Sequence, residues 1–178
     1  MKRTFFGSRQ DAEYLLLPVK TWFIWLSLLA AFAFNMVPFG RVPWLPDVLG
    51  VVIAFWSVHQ PRKVGMLVAF SFGLAMDVHS GALLGQHALS YTILSFFAIT
   101  IHRRLLWFSV PAQTLHVLPL FVMAHLVVLV IRLLAGGIWP GWPYFAAPFL
   151  QALLWPVVTV ILLAPQRGAV DPDENRPI

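Results

Sequence analysis

The chain contains no cysteine. That excludes disulfides, thiolate metal sites and cysteine nucleophiles, and it leaves the redox compartment undetermined. Charge is scarce too: Asp, Glu, Lys and Arg make up 11% of 178 residues, while 60% are apolar. An average soluble domain carries about 25% charged residues. This chain has too little polar surface to cover a soluble fold, and it is far too apolar to be disordered. The expected class is therefore a single integral membrane domain. The net charge is +5, but the basic residues stand singly or in pairs. No basic run of the kind that binds nucleic acid occurs, so no nucleic-acid partner is expected.

Catalytic motifs are missing as well. There is no GxSxG elbow, no phosphate-binding loop and no SxxK. The six histidines form no HExxH or other dense metal spacing. No enzyme activity, cofactor or metal is expected.

What the chain does have is long uncharged stretches. Residues 21–40, 48–61, 64–76, 78–102, 105–131 and 133–166 carry no charge. A membrane-spanning helix needs about 20 mostly apolar residues. The expected fold is all-α and polytopic, with six helices near 20–37, 45–59, 64–79, 86–101, 111–134 and 145–164. Tails 1–19 and 165–178 complete a single domain over 1–178. The second and third helices are short, about 24 Å at 1.5 Å per residue, and need local thinning or snorkelling to span. Pro119 and Pro156 are expected to kink the last two helices, and Gly136-Gly137 to end the fifth.

Orientation follows from the Lys/Arg bias of short loops. With the N-terminus inside, Lys2, Arg3, Arg9, Lys20, Arg62, Lys63, Arg103, Arg104, Arg167 and Arg176 fall on the inner side. Only Arg41 and Arg132 fall outside. Both termini are thus expected in the cytoplasm. Ala31-Phe32-Ala33 looks like a signal cleavage site, but a 20-residue polar stretch precedes the apolar run. That is long for a signal peptide, so the first helix is expected to be retained. Trp22, Trp44, Trp56, Trp107, Trp139 and Trp142, with Phe39 and Tyr144, lie near predicted helix ends, where aromatic belts form. Trp155 lies deep in the sixth helix.

Asp77 is the one acidic residue predicted inside the membrane. A carboxylate there costs roughly 2.5–3.5 kcal/mol on insertion scales, so it needs a partner, a cavity or a proton. Two readings are open. It pairs with His125 or Arg132, which lie seven residues apart on one face of the fifth helix, or it caps the fourth helix or snorkels at the outer interface. Gly65, Ala69, Gly73, Asp77, Gly81 and Gly85 recur every four residues. Such stripes allow close helix approach in lipid. Gly81 and Gly85 also suit a turn over 79–86, where glycine supplies positive φ. The scattered Asn35, Ser71, Gln86, Tyr91, Thr92, Ser95, Gln113 and Gln151 read as interhelical hydrogen bonds rather than a lined pore.

Several blocks together resemble the bacterial rod shape-determining protein MreD family, in its beta-proteobacterial form. They are Leu15–Asp47, FWSVHQPRKVG (Phe55–Gly65), FGLAMDVHSGALLGQHALSYTILSF (Phe72–Phe96), HRRLLWFS (His102–Ser109), LHVLPL (Leu115–Leu120), and the terminal LLAPQR and DENRPI. The most recognisable block is Gly73…Asp77…Gly81…Gly85. The resemblance implies a non-catalytic inner-membrane part of the machinery that inserts lateral peptidoglycan in rod-shaped cells. It implies the partners MreC, MreB, RodA and a transpeptidase. It also implies a fold similar to the substrate-binding subunits of energy-coupling-factor transporters. That likeness raises a competing expectation, a small-molecule-binding transporter subunit. The short aromatic outer loops favour a scaffold over a ligand-binding subunit, which should have longer polar ones.

Overall fold

A computed structural model describes residues 19–38 and 44–166. The basic residues Lys2, Arg3, Arg9, Arg41, Arg167 and Arg176, both tails beyond these limits, and Phe39 lie outside the described residues. Within them there are six α-helices and no strand: α1 (Thr21–Met36), α2 (Val48–His59), α3 (Met66–Ser80), α4 (Gln86–Leu105), α5 (Val110–Leu134) and α6 (Ala146–Leu163). A 3-10 turn at Trp142–Phe145 leads into α6, and another at Ala164–Gln166 leaves it.

Two helices differ from their predicted bounds for clear reasons. The fourth runs on through His102, Arg103 and Arg104 to Leu105. Basic residues in a last turn complement the negative end of the helix dipole, so the pair extends the helix instead of ending it. The second begins only at Val48, because Asp47 caps it: the Asp47 side chain accepts from the Gly50 amide. Its 12 residues make about 18 Å. Every residue from Leu49 to Val58 is buried. A helix that is apolar all round belongs inside a fold, and α2 is this one. It packs against α1, α4 and α6, while α3, α4, α5 and α6 follow one another around it. Pro119 and Pro156 sit inside α5 and α6, and both helices are continuous through them.

The core is van der Waals packing locked by a few polar contacts. Trp155 is fully buried beside Phe55 and Phe121, with ring centroids 6.0 and 6.4 Å away. Its indole N–H donates to Gln113 Oε1 at 3.1 Å. Trp56 corrects the predicted aromatic belt. It is fully buried, its ring set edge-on to Phe23 and Phe55, and its N–H donates to Ser27 Oγ at 2.8 Å. The other belt tryptophans, Trp22, Trp44, Trp107, Trp139 and Trp142, are exposed.

The outward surface is apolar. Leu67, Leu115, Leu134, Leu153 and Ile161 are all exposed. Helix α5 and the segment Trp142–Gln166 are long and apolar enough to cross a membrane. Only 28% and 39% of their most apolar windows are buried within the bundle. The core helix of a soluble protein would be mostly covered, and these two are mostly uncovered, as the helices of a membrane protein are.

The two ends of the bundle differ. At one end Lys63 Nζ donates to the Val19 carbonyl at 3.0 Å, tying the α2–α3 loop to the start of α1. The alternating helices place Lys20, Arg62, Arg103 and Arg104 at this same end. At the opposite end Arg132 is the one Lys or Arg among the described residues.

Candidate functional site

Two carboxylates mark the end of the bundle that carries the α3–α4 turn, and each caps the start of a helix.

The first is Asp77, in the last turn of α3 and 1% exposed. Its Oδ1 accepts from the His87 amide and from His87 Nδ1, both at 2.8 Å. Its Oδ2 accepts from the Gly85 amide at 2.8 Å and the Ala88 amide at 3.3 Å. Gly85, His87 and Ala88 are the N-cap and first-turn residues of α4. A helix start leaves its first amides without intrahelical partners. The N-cap here is Gly85, which has no side chain to offer, so Asp77 reaches across from α3 and does the capping. Its negative charge also meets the positive end of the α4 dipole.

The turn between the helices explains the glycines. Gly81 (φ 61°) and Gly85 (φ 99°) both have left-handed backbones, and a Cβ at either would meet nothing within 4 Å. They therefore serve the turn, and the four-residue stripe ends before them. Gly73 is different. A Cβ there would lie 2.4 Å from Ala88 Cα and 2.7 Å from the His87 carbonyl. It is the point where the backbones of α3 and α4 touch, and that contact holds the α4 start within reach of Asp77. Ala69 is also buried on this face, whereas Gly65 is the N-cap of α3.

Asp77 does not pair with His125 or Arg132. Among the described residues, the only approach of a carboxylate to a basic group within 4 Å is Asp77 to His87. His125 Nδ1 instead donates to the Phe121 carbonyl of its own helix at 3.0 Å. The His125 carbonyl accepts from the Tyr144 hydroxyl at 2.9 Å. Arg132 is exposed and lines a shallow recess with Ser80, Gln86, His87 and Tyr144.

The second escaped the sequence reading, which placed no acidic residue but Asp77 in the interior. Asp47 caps α2 and accepts from Asn35 Nδ2 at 2.6 Å and from the Gly50 amide at 2.9 Å, both on Oδ1. Its backbone carbonyl accepts from Gln151 Nε2 of α6 at 3.0 Å. Beside it lies a half-open cavity of about 240 Å³ lined by Asp47, His87, Tyr91, His125, Tyr144 and Gln151 over an apolar floor. The Pro46-Asp47 pair ahead of an apolar run was the available signal, since Asp is a favoured N-cap. The remaining scattered polar residues divide. Ser95 bonds Ser57 across helices, and Gln113 and Gln151 also bridge elements. Ser71 and Thr92 donate to carbonyls of their own helices. Among the described residues no group of three or more His, Asp or Glu side chains is placed to hold a metal ion.

An apolar helical bundle with uncovered apolar flanks, whose two acidic side chains among the described residues cap helices at one end, defines a helical membrane protein. Comparison with known proteins narrows the class. A family profile for rod shape-determining protein MreD matches residues 18–165. The rod shape-determining protein MreD of Haemophilus influenzae is 30% identical over 148 residues, which cover 79% of this chain and 89% of that protein. The chain belongs to the MreD family. No solved structure matches it.

Proposed function

We propose that the protein is a non-catalytic inner-membrane scaffold of the cell-elongation machinery, which maintains rod shape through lateral peptidoglycan synthesis. In this reading residues 1–178 form one domain of six spans with both termini in the cytoplasm. MreC is the direct partner, working alongside MreB, RodA and a transpeptidase. The similarity to substrate-binding subunits of energy-coupling-factor transporters is kept as the fold reading, and the six-helix count supports it. Family membership carries the shape role. The unequal ends of the bundle support the orientation: Lys20, Arg62, Lys63, Arg103 and Arg104 share one end, and the basic end faces the cytoplasm. The exposed apolar flanks supply surface for partner helices as well as for lipid.

Depletion in a rod-shaped native host tests the role. Cells should round as the protein is lost and regain rod shape with the wild-type gene, and MreC should copurify with the tagged protein. Persistent rods in a fully depleted culture would overturn the reading. The alternative, a small-molecule-binding subunit of a transporter, is favoured by one observation, the polar cavity beside Asp47. A tightly bound small molecule in the purified protein, with unaltered shape on depletion, would establish it instead.

A further inference from the structure

The cavity beside Asp47 has no part in the scaffold reading. Pockets for drug-sized ligands run to about 300–1,000 Å³. At about 240 Å³ this one is sized for a single headgroup on a short stem, or for about eight waters at ~30 Å³ each.

Its polar groups are mainly acceptors. The Asp47 carboxylate accepts from Asn35 and the Gly50 amide on Oδ1, and the Tyr91 hydroxyl faces the same carboxylate. All three of these neighbours are uncharged. Gln151 commits its Nε2 to the Asp47 carbonyl, and among the described residues its Oε1 has no partner. Gln151 is 2% exposed. An unpaired buried polar atom costs about 1–3 kcal/mol, and one beside a cavity marks a place where something polar is missing. His125 Nδ1 is held by a carbonyl, so in the neutral ring Nε2 is an acceptor as well. No basic group of the described residues lies within 4 Å of the Asp47 carboxylate. The walls include the rings of Phe121, Tyr91 and Tyr144, and aromatic faces attract cations. A metal ion fits poorly, because no three ligating side chains converge among the described residues.

We propose that this cavity is a receptor for one organic cation, an ammonium or guanidinium group. Asp47 holds its charge, and Gln151 Oε1 takes one of its N–H groups. The group arrives either on a free small amine or on a basic side chain of a partner segment.

The test uses the full chain purified in detergent, with n-butylammonium and n-butylguanidinium as probes and n-butanol as the uncharged control. Both cations should bind saturably and raise the melting temperature, and butanol should not. Asp47→Asn keeps a good N-cap acceptor and removes the charge. It should weaken cation binding by about tenfold or more at a near wild-type melting temperature. The two cations should lose their stabilising effect on Asp47→Asn while that variant, without probe, melts as the wild type does. Misfolding cannot produce that pair of results. Native mass spectrometry separates the sources. An amine adduct present in the wild type and absent in Asp47→Asn assigns a free molecule. No adduct, with a photo-cross-link from position 45 to a Lys- or Arg-containing peptide of MreC that Asp47→Asn abolishes, assigns a partner side chain. The proposal is overturned if neither cation saturates, if butanol binds equally well, or if Asp47→Asn leaves the affinity unchanged; the cavity then holds water only.

Discussion

Asp77→Ala removes the one side chain that ends four hydrogen bonds between α3 and the start of α4. What matters is the donors left behind. A buried carboxylate contributes little net stability, because desolvation offsets its attraction. Truncating it, however, leaves the Gly85, His87 and Ala88 amides unpaired, and α4 cannot rebuild a cap because its N-cap is glycine. Each buried unpaired donor costs about 1–3 kcal/mol. The Gly85 and His87 amides are only partly buried and regain some water. The expected loss is therefore about 3–5 kcal/mol, the range for breaking a buried charged pair. Asp77→Asn keeps an acceptor for one side of the cap and should lose about half as much. The assay is reversible unfolding of the detergent-solubilised protein, read by helical circular dichroism, alongside folded yield in membranes. A loss below about 0.5 kcal/mol for Asp77→Ala, the scale of an ordinary surface change, would refute the argument. So would an Asn variant as unstable as the Ala variant.

The glycines of the same block should separate by mechanism. Gly73→Ala drives a Cβ into the α4 backbone at 2.4 Å and should cost about 1–3 kcal/mol, with Gly73→Leu costing more. Gly81→Ala should cost about 1–2 kcal/mol through its left-handed backbone, and Gly81→Leu no more than that; a much larger Leu penalty at Gly81 would show that it packs after all. Trp155→Phe should lose about 1–3 kcal/mol by stranding Gln113 Oε1, and adding Gln113→Leu should recover part of it, because removing both partners is cheaper than removing one and the Phe108 carbonyl that Gln113 Nε2 also serves is only partly buried; additive losses in thermal unfolding would contradict this. Alkaline phosphatase fused after Ile178 should be inactive and a fusion in the 135–141 loop active, with the reverse pattern defeating the proposed orientation.

The sequence revealed the helices well because charge and proline punctuate them. The weakest readings were those that depended on which neighbour a side chain meets. Trp56 sits near a helix end and so resembles a belt residue, yet α2 is central and the ring is buried. Nothing in the α2 sequence separates a lipid-facing helix from one wrapped by protein, since both are apolar all round. The Gly81 and Gly85 spacing matched a packing stripe and a turn equally, and only φ decides. Asp77 was found from its depth, and of its open readings the structure shows the cap of the fourth helix, but His87 was not foreseen as its side-chain partner. His87 is ten residues away across a turn, whereas helical periodicity relates residues within one helix and drew attention to His125 and Arg132. Asp47 stands in the first turn of the predicted 45–59 helix and was not counted in the interior.

Asp47 and Asp77 do the same local work from different distances, and the difference separates structure from function. Each supplies acceptors to the first amides of a helix, α2 from its own N-cap and α4 from the neighbouring α3. Asp77 uses both of its oxygens, is closed off from solvent, and has His87 as a basic partner. All its bonding capacity goes into holding the α3–α4 corner, which is why its removal should read as lost stability. Asp47 faces a cavity and stands beside Gln151 Oε1, a buried acceptor without a partner among the described residues. A carboxylate placed only to cap α2 would not need its charge, because Asn caps as well as Asp. The cap explains why position 47 is Asp or Asn. The charge at Asp47 and the unpaired Gln151 carbonyl are surplus to the fold. In a chain with so little charge elsewhere, that surplus marks the α2 end of the cavity, rather than Asp77, as the place to look for a bound group.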